Sequence, residues 1–128
     1  MAYNELDGLR GYQQKNAGAG LILSNVTGTF TIGTDNSIVL NKGIYYEIQF
    51  VGSNTTDNCI LHHQIFAVNR AGTVTIVNDV PVRPDYKTGG FSNTAISAVI
   101  DSVVNVIITI TGLPSGTNGK VKINRIRY

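Results

Sequence analysis

The 128-residue chain has no tryptophan, one cysteine, three prolines and only 14% charged residues. Each scarcity excludes something. The lone Cys59 rules out an internal disulfide framework, and its apolar neighbours predict a buried structural thiol. So few charges, against about 25% in an average globular domain, suit a rigid β protein with an uncharged polar surface. No apolar run approaches the roughly 20 residues that span a bilayer, and MAYNELDGLR lacks the basic-then-apolar layout of a signal peptide. The expectation is a soluble protein made in a cytoplasm, with no membrane insertion.

What is present is glycine, asparagine, threonine and serine, interleaved with short β-branched runs. A chain of this length is one domain and can bury roughly two thirds of its unfolded surface, so it needs no staple. Nine strand-like runs fall at 21–26, 29–32, 37–40, 44–51, 59–68, 73–77, 94–100, 103–111 and 120–127. None has helical periodicity. Asp35-Asn36, Asn41-Lys42-Gly43, Asn69-Arg70-Ala71-Gly72 and Thr117-Asn118-Gly119 supply turn residues between them. The reading is all-β: an antiparallel β-sandwich of jelly-roll type with eight or nine strands over residues 21–128, preceded by an N-terminal arm at residues 1–20. The arm ends in Asn16-Ala-Gly-Ala-Gly20, and Leu6, Leu9 and Tyr12 could line one face of a helical turn, although Gly8 and Gly11 oppose it.

The last third of the chain is the most explicit. In Val103 to Gly112 the even positions Val104, Val106, Ile108 and Ile110 are aliphatic, while Val103, Asn105, Ile107, Thr109 and Thr111 grade from apolar to polar. One face is core, and the graded face around Val103, Asn105 and Ile107 is where a second subunit would sit. A Pro-Ser-Gly turn then leads to a closing strand, Lys120 to Tyr128. Val121 and Ile123 share one parity there and Ile126 and Tyr128 the other, so a bulge near Asn124-Arg125 is expected to restore a single buried face. Four of the ten basic residues lie in this strand, as expected of an edge that resists further pairing. Nucleic-acid binding would need a larger basic face or interleaved aromatics.

Residues with chemistry are few. His62 and His63 are neighbours on a strand and leave opposite faces, so they cannot share one metal; a structural or interfacial role is expected, and neither metal nor cofactor is called for. Carboxylates are scattered at turn positions, no nucleophile elbow is present, and Gly18-Ala-Gly20 precedes a strand, so neither glycosidase, serine-hydrolase nor phosphate-loop chemistry is indicated. The longest loop, Val80 to Asn93, holds Arg83, Asp85, Tyr86, Lys87 and Phe91. It is either a crossover between two sheets or a binding loop, in which Tyr86 and Phe91 could stack a sugar.

From Gly28 to Tyr128, the stretches GTFTIGTDNSIVLNKGIYYEIQFVGS, RPDYKTGGFSN and VVNVIITITGLPSGTNGKVKINRIRY resemble small β-rich domains of tailed-bacteriophage virion proteins, in tail fibres, spikes and head-attached fibres. Those domains follow a strand ending in Thr-Gly with a short turn and a closing strand, which often carries a tryptophan absent here. The resemblance implies a non-enzymatic virion component, a capsid decoration, head-fibre or tail-fibre protein. It further implies a homo-oligomer, often a trimer, joined to other virion proteins through residues 1–20. The alternative is a carbohydrate-recognising module for host attachment.

Overall fold

The computed structural model describes residues 20–127 except 103. The arm expected at residues 1–20 therefore lies outside the described residues, apart from Gly20, as do Val103 and Tyr128.

Seven strands and one turn of 3₁₀ helix make up the described chain. They are β1 Leu21–Asp35, β2 Gly43–Ser53, β3 Asn58–Arg70, β4 Thr73–Pro81, β5 Tyr86–Lys87, β6 Ala95–Asp101 and β7 Asn105–Arg127, with the 3₁₀ turn at Gly89–Phe91. All pairings are antiparallel, in the order β1-β7-β2-β3-β4, with β5 added to β3 and β6 to β7. The molecule is an all-β antiparallel sandwich.

Two long strands hold the layers together. The first half of β7 runs between β6 and the end of β1, and its second half runs between β2 and the start of β1. Predicted runs 21–26 and 29–32 are thus one bulged strand, and runs 103–111 and 120–127 another. Pro114-Ser115-Gly116 does not reverse the chain. It is a bulge, because Gly28 pairs Leu113 and Val26 pairs Thr117, leaving the residues between unpaired. Thr117-Asn118-Gly119 likewise lies within β7, not in a turn. At the bend Gly112 has φ +68, and a Cβ there would lie 2.3 Å from the Asn93 carbonyl oxygen, so only glycine fits.

At Asn69-Arg70-Ala71-Gly72 the chain reverses as read. Arg70 pairs Thr73, and the two loop residues Ala71 and Gly72 both have positive φ, a type I′ hairpin. Strand β7 begins only at Asn105, because Ser102 turns left-handed and Val104 belongs to the β6–β7 turn. The 37–40 run is not a strand. Ile38 is buried and its carbonyl accepts from the Asn69 side chain at 2.8 Å, while Val39 and Leu40 face solvent.

The core lies between the layers. Even positions Ile44, Tyr46, Ile48 and Phe50 of β2 meet Leu61 and Ile65 of β3 and Val121 and Ile123 of β7, and Ile96, Val106, Ile108 and Ile110 close it from the other side. Each such side chain contributes about 1.5–3 kcal/mol of burial. Cys59 is part of it, and burial pushes its thiol up to about 11, as suits an inert thiol.

The expected bulge at Asn124-Arg125 is absent. Strands β2 and β7 pair without a break from Ile44–Arg127 to Ser53–Asn118. The inward parity simply continues through Arg125, whose side chain is 6% exposed and meets the fully buried Asp35. Asp35 accepts from Ser37 N and Oγ, from Tyr46 Oη at 2.7 Å and from Arg125 at 2.8 Å. Burial alone would raise this carboxyl, but the hydrogen bonds from Ser37 and Tyr46 and the guanidinium outweigh it and hold it below the usual range.

Candidate functional site

The loop after β4 does not form one binding face. Phe91 is fully buried at the 3₁₀ turn and is a core residue, which removes it from any sugar platform. Asp85 and Lys87 hold the loop in place. Asp85 Oδ1 lies 3.0 Å from His63 Nε2, and Lys87 Nζ lies 3.9 Å from the other carboxylate oxygen while donating to the Thr94 carbonyl at 3.1 Å. Arg83 is exposed, and Tyr86 is half-exposed beside Ile60 on the opposite side of the strand. The five loop residues therefore divide among core, tether and surface.

A second tether was not legible in the sequence. The Asp57 carboxylate accepts from Gly90 N, Thr88 Oγ1 and Thr56 Oγ1, pinning the 3₁₀ turn to the β2–β3 connection. These bonds, the Gly90 amide first, lower the Asp57 carboxyl despite a slight burial cost. The Asp57-to-Gly90 pairing spans 33 residues, and no local pattern marks it.

His62 and His63 point to opposite faces, as strand alternation requires. His63 turns inward to Asp85, whose carboxylate only accepts, so Nε2 carries the proton. His62 turns outward, with Nε2 3.2 Å from the Glu47 carboxylate. Among the described residues no three His, Cys, Asp or Glu side chains gather as a metal site, and no helix is long and apolar enough to cross a membrane.

The graded face of β7 is half-buried at Asn105 and Ile107. Ile107 pairs Val99 on β6 and Thr34 on β1, giving a short row with Val99 exposed at its end. His62 lies on the other layer, outside, and His63 inside. Asn105 with Ile107, His62 and His63 thus lie on three different surfaces, and Val103 lies outside the described residues.

The larger apolar surface is elsewhere. On the outer face of the part of the sheet formed by β1, β7, β2, β3, β4 and β5, register aligns Ile22 with Lys120, Lys120 with Val51, Val51 with Ile60, and Ile60 with Tyr86. One row across β1, β7, β2, β3 and β5 therefore exposes Ile22 (68%), Val51 (56%), Ile60 (38%) and Tyr86 (50%). Val80 and Val82 extend it, and Ile126 stands exposed further along β7. At the β1 end the row opens into a groove of about 640 Å³, whose lining includes Ile22, Val51, Gln49, Asn118, Lys120 and Lys122.

The odd residues of β2 were readable as an outward face. That they align with Ile22 and Ile60 depends on pairings between strands distant in sequence. No protein-family model matches the chain, and no curated protein matches it.

Proposed function

We propose that the chain is a non-enzymatic structural component of a bacteriophage virion, of the capsid decoration, head-fibre or tail-fibre type, and that it assembles with copies of itself. The exposed row Ile22–Val51–Ile60–Tyr86, interrupted only by Lys120, carries the assembly part of this reading, since clustered exposed apolar side chains mark protein contacts. The virion setting rests on the resemblance of residues 28–128 to phage fibre domains. Light scattering at micromolar concentration tests it: an oligomer, with a trimer expected, becomes a folded monomer in Val51→Asp. A wild-type monomer that binds neither capsids nor tails overturns the reading.

Tyr86 favours a second reading, carbohydrate recognition in host attachment, because its ring is half-exposed at the end of the row. A glycan array with hits that vanish in Tyr86→Ala supports it. An array without hits removes it.

A further inference from the structure

The groove at the β1 end of the row is amphipathic: Ile22 and Val51 form its apolar part, and Lys120 and Lys122 stand over it from β7. Neither lysine has an ion-pair partner among the described residues. A ligand that fits must carry apolar side chains and negative charge in one short stretch. The described lining of the groove holds no carboxylate, so the same groove on a second copy would not supply that negative charge.

One segment of this chain has the required chemistry. Residues 3–9, Tyr-Asn-Glu-Leu-Asp-Gly-Leu, place Glu5 and Asp7 among Tyr3, Leu6 and Leu9, and no basic residue occurs before Arg10. Gly20, the first described residue, lies beside Val121 and Lys122, at the groove itself. Eleven linking residues can span up to about 35 Å, whereas the distance from β1 to β2 is two strand spacings, about 10 Å. The segment can therefore reach this groove on its own chain or on an adjacent copy.

We propose that residues 3–9 of this chain occupy the groove over β1, β7 and β2, with Glu5 and Asp7 against Lys120 and Lys122 and the leucines against Ile22 and Val51. This deepens the assembly reading, because an arm seated on a neighbouring copy links subunits, but the two fail separately.

The test places a photo-crosslinking benzoylphenylalanine at Leu6 in the full-length protein, with ¹⁴N- and ¹⁵N-labelled chains mixed before irradiation. Crosslinked peptides containing Ile22, Val51 or residues 118–122 are expected. Mixed-isotope pairs identify a neighbour's groove, single-isotope pairs with no mixed ones the chain's own, and either supports the proposal. The double variant K120E/K122E should cut the yield about fivefold, the loss expected for two partly exposed ion pairs. Adding E5K/D7K should restore it, which a misfolded groove could not do. Crosslinks scattered elsewhere, a yield that K120E/K122E leaves unchanged, or no rescue overturns the proposal. If the protein is an oligomer without groove crosslinks, the arm proposal falls and assembly stands; if it is a monomer with groove crosslinks, assembly falls and the arm proposal stands.

Discussion

The Arg125 guanidinium lies 2.8 Å from the carboxylate of Asp35, ninety residues earlier, and joins the end of β7 to the end of β1 inside the fold. Both side chains are almost wholly shielded from water, and Tyr46 and Ser37 complete the shell around Asp35. A buried pair of this kind punishes loss of one partner more than loss of both, because a single deletion strands a charge. Arg125→Met should cost about 3–5 kcal/mol in denaturant unfolding. The double variant Asp35→Asn with Arg125→Met should cost less than Arg125→Met alone. Additive losses would show that the two groups act independently.

The same carboxylate sets an acid limit. Its folded pKa lies below the ordinary value, so the unfolded chain binds the proton more readily. Asp35 therefore stabilises the fold above about pH 4, the unfolded carboxylate value, and this contribution fades as pH falls through the lower folded one. Urea midpoints measured from pH 7 down to pH 2 should drop in that window. In Asp35→Asn the protein should be weaker at neutral pH and the drop shallower.

This pair also shows why the closing strand resisted reading. Alternation of Val121 and Ile123 marked the inner face correctly, but a charged residue at the next inward position invited a bulge, because nothing local announces a buried partner ninety residues away. The all-β class and the even-numbered cores of β2 and of β7 were legible, since period-two patterns are set by neighbours. The long strands were not. Gly28, Gly112 and Pro114 read as strand ends in isolation, and only pairing on both sides of β7 turns them into bends. The outer apolar row escaped for a related reason: its members come one each from separate strands, and register alone puts them together.

Gly112 offers a direct check on that bend. An alanine there would carry positive φ and press its methyl group into the Asn93–Thr94 backbone, which cannot retreat because Thr94 Oγ1 donates to the Gly112 carbonyl at 2.8 Å. Left-handed backbone alone costs about 1–2 kcal/mol in a non-glycine residue, and the clash adds to it. Gly112→Ala should lower thermal stability by several degrees and speed amide exchange in β6, whereas Gly72→Ala, with open space around it, should lose only the backbone share. Equal losses at the two positions would refute the close approach.

The tether between Asp85 and His63 has a local consequence. It holds the segment between β4 and β5 against the inner side of β3, where the Val82 amide donates to the His62 carbonyl and the Thr88 amide to the Asn58 carbonyl. In Asp85→Ala, His63 loses its partner while its Nδ1 already has none among the described residues, so a second ring nitrogen is left without a hydrogen bond. The expected cost is about 1–3 kcal/mol, concentrated in the loop. Hydrogen exchange should accelerate at Val82 and stay unchanged at Thr88, which Asp57 also holds, and in the β2–β7 pairing. The second tether at Asp57 should keep Gly90 protected in Asp85→Ala, and Asp57→Ala should release it while leaving Val82 in place. If either variant frees both ends of the loop, the two tethers act as one unit, and the division of the segment into separately anchored halves is wrong.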